Sequence, residues 1–91
     1  MIAVMNIMDK FELSSGITVL ACKNYDSTIN VIGKQLLLVR SDEVRQVLTI
    51  FGERKMLNQQ LNKDQRAFET RDAILLSVDE ARSGNWQLMK N

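Results

Sequence analysis

The sequence has no histidine and a single cysteine, Cys22, among its 91 residues. One cysteine cannot form an intramolecular disulfide, and its flanking residues Leu20 and Ala21 are typical of a thiol that packs as a small hydrophobe. Serine and cysteine nucleophiles are usually activated by histidine, and zinc is usually held by histidine and cysteine. We therefore expect no enzyme activity and no metal or other cofactor. A lone cysteine is also typical of the reducing cytoplasm.

An excess of charge of one sign is also missing. Twelve basic and 11 acidic residues give a formal net charge of +1. Proteins that bind nucleic acids usually concentrate positive charge, because neutralising phosphates supplies much of their affinity. We therefore do not expect DNA to be a partner.

Long hydrophobic runs are absent as well. No segment approaches the roughly 20 apolar residues that a membrane-spanning helix needs. The apolar opening MIAVMNIM (residues 1–8) lacks the basic region and the small-residue cleavage site of a signal peptide. We expect it to form a first strand or a tail packed on the core, and we expect no association with a membrane.

What the sequence does have is the composition of an ordinary folded domain, with 45% hydrophobic and 25% charged residues. A chain of 91 residues holds one core, so we predict a single domain over residues 1–91. Turn-forming residues recur at intervals of about 8–12 residues, which is the spacing of short strands in a sandwich or barrel.

Several segments between these turn signals have strand character. FELSSGITVLAC (residues 11–22) contains two alternating runs joined by Ser-Ser-Gly, which predicts a β-hairpin. QLLLVR (residues 35–40) is a continuous apolar run, typical of a strand that is covered on both faces. RQVLTIF (residues 45–51), AILLSV (residues 73–78) and NWQLM (residues 85–89) are the remaining candidate strands, the last closing the sheet.

The same residues allow a helical alternative. Ser41 and Asp42 are good helix N-cap residues, and apolar residues follow them at the spacing of one helix face. The stretch from Asp64 to Arg82 has no glycine or proline, and Gly84 could end a helix there. An α+β domain with a helix in 41–57 and/or 64–83 is therefore the alternative to an all-β fold.

Three stretches resemble the second, β-barrel domain of translational GTPases such as elongation factor Tu. FELSSGITVLA (residues 11–21) is similar to the opening strand pair of that barrel, and NVIGKQLLLV (residues 30–39) to its valine–glycine turn and apolar strand. TIFGERKMLNQ (residues 49–59) and DAILLSVDEARSGNWQL (residues 72–88) resemble its later strands. The family's glycine after the first strand pair is replaced here by Ala21-Cys22-Lys23.

This resemblance implies a small closed antiparallel β-barrel, which we take as the predicted fold. It also implies protein or ribonucleoprotein partners, because the domain contacts such partners in translation factors. The chain has no phosphate-binding loop of the form G-x-x-x-x-G-K-[ST], so GTPase activity is not implied. The barrel would be freestanding.

Four residues are candidates for contact with a partner. Glu53, Arg54 and Lys55 follow Gly52 and an apolar run, where a loop would present them outward, although a charged loop more often serves solubility. Trp86 is the sole tryptophan, a residue type enriched at interface hot spots but common in small cores.

The function we expect is that of a non-catalytic binding module, which acts through the loops of the barrel on a protein or ribonucleoprotein. A small bacterial accessory or immunity-type protein fits the same facts. The alternative is an α+β protein that forms a homo-oligomer, and the barrel interpretation is itself compatible with a homo-oligomer.

Overall fold

The fold is known from a computed structural model that describes residues 1–54 and 65–91. The described chain forms strands β1 (Ile2–Glu12), β2 (Thr18–Lys23), β3 (Gln35–Arg40), β4 (Glu43–Arg54) and β5 (Arg66–Thr70), helix α1 (Val78–Arg82) and strand β6 (Gln87–Lys90). The strands are rich in the β-branched and aliphatic residues that suit a pleated, half-buried surface.

The six strands close into an antiparallel barrel in the order β1-β2-β5-β4-β3-β6. Strand β6 completes the ring, because it pairs with β1 on one side and with β3 on the other. The pairing register shifts within β1, between β3 and β4, and between β4 and β5. Such irregularities bend and twist strands, which helps a short sheet to close. The predicted all-β closed barrel is therefore confirmed.

The turn between β3 and β4 decides against the helical alternative. Ser41 and Asp42 both have positive φ, of 48° and 68°, and they connect the paired residues Arg40 and Glu43. Two residues with positive φ between antiparallel strands form the tight turn that matches the strand twist. The helix considered for 41–57 is therefore wrong for the described residues, which form strand β4 instead.

The segment AILLSV, predicted as a strand, is not one. Residues 73–77 are irregular and lead into α1, which is capped by Ser77: its Oγ accepts from the Glu80 N–H, while the Glu80 side chain accepts from the Ser77 N–H. This reciprocal cap stabilises the start of α1 at Val78, at the end of an apolar run for which a strand was predicted. The long helix considered for 64–83 is also wrong, since Arg66–Thr70 is a strand and α1 has five residues.

Inward-facing side chains fill the barrel, and two connections cover its ends. The link from β2 to β3 crosses one end, because these strands are not neighbours in the ring, and it contributes the buried Val31. The link from β5 to β6 crosses the other end with Ile74, Leu76 and Ala81. Cys22 is buried in the same core, and burial raises the pKa of its thiol. The six strands surround the core, and the two connections cover its ends.

Candidate functional site

The sequence predicted that Glu53 and Arg54 lie in a loop, and this is wrong. Both are the last two residues of β4. Glu53 pairs with Phe68 of β5, and Arg54 pairs with Ala67. The register shift near Gly52 lets the strand continue past the glycine that was interpreted as a turn signal.

Neighbouring strand residues point to opposite faces, so Glu53 and Arg54 do not act together. Glu53 Oε1 lies 3.4 Å from Arg66 Nη1, and Glu69 Oε2 lies 3.2 Å from Arg54 Nη2. Each charge is therefore matched by an opposite charge on β5. Lys55 lies outside the described residues.

The same end of the barrel carries an aromatic contact. The Arg66 guanidinium lies 5.0 Å from the centroid of the Tyr25 ring, and that ring packs against Phe68 at 5.2 Å between centroids. Burial raises the pKa of Tyr25, and the nearby Arg66 cation opposes that rise. Arg66 is thus held by one carboxylate and one aromatic ring.

Trp86 lies at the opposite end, next to the turn between β3 and β4. Trp86 is 3% exposed and belongs to the hydrophobic core cluster. Two guanidinium groups cover its ring, with Arg45 at 4.2 Å and Arg40 at 5.5 Å from the centroid. Arg45 lies near the start of β4 and Arg54 at its end, so Trp86 and the Glu53–Arg54 pair lie at opposite ends of the barrel and do not form one site.

Arg45 also anchors the irregular segment beside β4. Its Nη1 donates to the Leu75 carbonyl and to Glu80 Oε2, each at 2.9 Å. The pKa of Glu80 is lowered, first by the hydrogen bond from the Ser77 N–H and then by the bond from Arg45. A groove of about 260 Å³ opens beside this cluster and is lined by Glu43, Val44, Arg45 and Trp86.

A second surface was not predicted. The residues directly opposite one another on β4, β3 and β6 are Val47, Leu37 and Met89. They face outward, because the alternate residues Leu36 and Leu38 on β3 are buried in the core. Val47 is 51% exposed, while Leu37 and Met89 are half-buried.

Leu75 extends this row beyond β4. Its backbone N–H donates to Gln46 Oε1 (2.6 Å) and its carbonyl accepts from Arg45, so it lies beside β4. It points outward, since Ile74 and Leu76 on either side are buried, and it is 59% exposed. We call Leu37, Val47, Leu75 and Met89 the outer patch.

Uncharged residues flank the outer patch on one side, where Gln35 lies opposite Thr49. On the other side Val39 is buried at 2% exposed, and the exposed Arg45, two residues before Val47 on β4, is paired with Glu80. Interfaces are depleted of charge at their centres, and exposed apolar rows are unusual on the outer face of a small barrel. The sequence contains one indication of this surface. The continuous apolar run QLLLVR predicts a strand that is covered on both faces.

Neither a metal-binding cluster nor a membrane-spanning helix is found among the described residues. Within residues 1–54 and 65–91, no three histidine, cysteine or acidic residues are grouped so that they could hold a metal ion. In that same part of the chain, no helix has the length and apolarity to cross a bilayer.

Comparison with known proteins adds no assignment. No protein-family model, no curated protein and no solved structure matches this chain. The resemblance to the barrel domain of translational GTPases therefore stays a prediction from the motifs. The functional interpretation starts from the geometry of the two surfaces described above.

Proposed function

We propose that this chain is a non-catalytic protein-binding module that holds its partner on the outer patch. The observation that carries the proposal is the uncharged apolar row Met89–Leu37–Val47–Leu75 on the outside of a barrel whose core is already filled. Side chains on that face are not needed to fill the core. Their exposure to water is unfavourable by roughly 25 cal/mol per Å² of apolar surface, which a partner would recover.

A protein partner accounts for this surface better than a nucleic acid does. Phosphate binding requires unmatched positive charge, and Arg54 and Arg66 each face a carboxylate on the neighbouring strand. On the outward face, Gln35 and Leu37 of β3 and Val47 and Thr49 of β4 are uncharged, and the guanidinium of the neighbouring Arg45 is paired with Glu80 at 2.9 Å. This favours apolar contact over phosphate recognition.

The sequence suggests the class of partner and the cellular compartment of this module. The motif resemblance suggests a translation-factor-like module, and the single buried cysteine suits the reducing cytoplasm. In this setting the partner is a protein of the translation apparatus or one that acts on it.

The test compares two matched substitutions in capture of partners from a cell extract. Val47→Glu places a charge in the outer patch, while Phe11→Glu places the same charge at an exposed apolar residue on β1. The strand order puts the β1–β2 wall opposite the β3–β4 wall, and Phe11 and Val47 are 47% and 51% exposed. We expect Val47→Glu to lose partners that the wild type and Phe11→Glu retain.

Two results would count against the proposal. Equal capture by both variants would show that the outer patch is not the binding surface. Capture that disappears after ribonuclease treatment, or that weakens steeply with salt, would show that the partner is RNA or an RNA-containing particle. Circular dichroism of each variant shows whether the barrel is intact.

A further inference from the structure

The buried polar or charged side chains of the described residues lie together at one end of the barrel. They belong to Lys10, Thr18 and Thr70. Thr18 on β2 lies opposite Glu12 on β1 and opposite Thr70 on β5. This row faces inward, because Leu20, the next residue on the same face of β2, is completely buried in the core and pairs with Lys10. Burial of polar groups is unfavourable unless they form hydrogen bonds, so each group at this end needs a partner.

A pocket of about 280 Å³ opens at this end, between the β1–β2 hairpin and the segment that follows β5. We call it the mouth pocket; its polar lining is Glu12, Thr18, Arg71 and Asp72, and its apolar lining includes Ile17 and Ile74. Thr18 is 7% exposed, and its hydroxyl forms no hydrogen bond with the other described residues. Within that part of the chain, every fully buried side-chain oxygen has a partner, so the Thr18 hydroxyl is reached from the pocket.

Two carboxylates flank this hydroxyl, and they differ in their counter-ions. Glu12 Oε1 accepts from Lys10 Nζ at 3.0 Å, and Lys10 lies behind the pocket lining. Asp72 Oδ2 accepts from the Thr49 N–H at 2.6 Å, and Asp72 forms no ion pair with the described residues. The Arg71 guanidinium lies over an aromatic ring of β4, at 4.6 Å from its centroid. The mouth pocket therefore presents one carboxylate with a counter-ion, one without, and a hydroxyl.

We propose that the mouth pocket binds a primary ammonium group at the end of a short alkyl chain. An ammonium has three N–H donors, and the oxygens of Asp72, Glu12 and Thr18 can accept them. Its charge supplies the counter-ion that Asp72 lacks, while the alkyl chain lies against Ile17 and Ile74. The inference goes beyond the proposed function, because the mouth pocket shares no residue with the outer patch.

Titration of the isotope-labelled full chain with butylammonium chloride, followed by nuclear magnetic resonance at constant ionic strength, tests this directly. We expect the backbone amide signals of Thr18 and Asp72 to shift and to saturate. A ligand of about five heavy atoms should have a dissociation constant in the millimolar range. Butyltrimethylammonium carries the charge without N–H donors, and butyrate carries the opposite charge, so neither should saturate these signals.

Four variants test the roles of the side chains. Asp72→Asn removes the charge but keeps an oxygen for the Thr49 N–H, and it should weaken butylammonium binding by about tenfold or more. Thr18→Val keeps the shape and removes the hydroxyl, so it should also weaken binding. Lys10→Met removes the counter-ion of Glu12 and should strengthen binding by about twofold or more. Asp79→Asn makes the matched replacement at an exposed carboxylate outside the pocket and should bind like the wild type.

A second probe identifies the source of the ammonium group. Nα-acetyl-lysine methylamide carries the same group on a peptide-like backbone. If it binds as tightly as butylammonium, the mouth pocket accepts a lysine side chain of another protein. If only butylammonium binds, the mouth pocket accepts a free amine. Both results support an ammonium site.

Several results would overturn the inference. One is the absence of saturation with butylammonium up to about 100 mM, and another is tighter binding of butyrate. Equal losses in Asp72→Asn and Asp79→Asn would show general attraction of cations, and weaker binding by Lys10→Met would contradict the charge assignment. If Asp72→Asn does not fold, Thr18→Val and Lys10→Met decide the question, because they should change the affinity in opposite directions.

Discussion

Gln46 holds the irregular segment 71–77 against the free edge of β4, and its removal tests how that segment is fixed. Its Nε2 donates to the Ala73 carbonyl at 3.0 Å, and its Oε1 accepts from the Leu75 N–H at 2.6 Å. One side-chain amide thus makes the two bonds that a neighbouring strand would make. We predict that Gln46→Ala destabilises the fold through this segment.

The magnitude follows from the two bonds. A hydrogen bond contributes a net free energy of about 0.5–1.5 kcal/mol, so losing both lowers the free energy of unfolding by about 1–3 kcal/mol. For a domain of this size, each kcal/mol lowers the melting temperature by about 4–8 °C. Gln46→Glu keeps the acceptor for Leu75 but puts a carboxylate oxygen against the Ala73 carbonyl, which repels it, so this variant should also be destabilised at neutral pH.

Urea unfolding followed by the fluorescence of Trp86 measures these changes, because this sole tryptophan is buried in the core. Gln35→Ala is the matched control: it makes the same replacement at an exposed strand position and should change stability by less than about 0.5 kcal/mol. If Gln46→Ala and Gln35→Ala unfold at the same urea concentration, Gln46 does not hold the segment.

Three further predictions concern the turn, a buried amine and pH. Replacing Ser41-Asp42 by Asn-Gly should raise the free energy of unfolding by about 1 kcal/mol in the same urea assay, because both positions have positive φ; an unchanged or lower midpoint would refute the turn geometry. The Lys10 side chain is 8% exposed and pairs with Glu12, which is 68% exposed. Lys10→Met should therefore leave stability unchanged or raise it, and a loss above about 2 kcal/mol would show that the ion pair stabilises the barrel. The lowered pKa of Glu80 means that its contribution is present above its unfolded pKa and is lost as the pH falls through its folded value. The stability gap between the wild type and Glu80→Gln should therefore close on acidification below about pH 4 in urea melts, whereas a constant gap would exclude this carboxylate as the source.

Strand positions could be predicted wherever alternation or a bounded apolar run agreed with the turn chemistry. The hairpin of residues 11–22 and strand β3 are examples, since Gly16 and Gly33 supply positive φ at their ends. AILLSV failed because its apolar run was weighed without the Ser77-x-x-Glu80 cap, which was visible in the sequence. The cap starts a helix at Val78, and residues 73–77 are held beside β4 by the Gln46 side chain instead of by strand pairing.

The surfaces were harder to predict than the strands. Gly52 was interpreted as a turn, but the register shift there lets β4 run on to Arg54. No single-strand pattern shows such a shift, because it depends on how two strands pair. The outer patch needs the pairing of β4, β3 and β6 at once, so the apolar run QLLLVR could indicate only that a second face was covered.

The filled core separates two explanations for the apolar residues of β4. If the Val47 side chain contributed to the stability of the barrel, Val47→Thr would lower that stability. A core valine replaced by threonine loses a packed methyl group and gains a buried hydroxyl. Val47 is 51% exposed and lies outside the core cluster, so we expect Val47→Thr to change the free energy of unfolding by less than about 0.5 kcal/mol. Threonine keeps the β-branched shape that the strand favours and removes mainly apolar contact area. A Val47→Thr chain that is as stable as the wild type yet captures less partner from a cell extract would assign this side chain to binding. A Val47→Thr chain that unfolds at a lower urea concentration than the wild type would show that Val47 stabilises the fold.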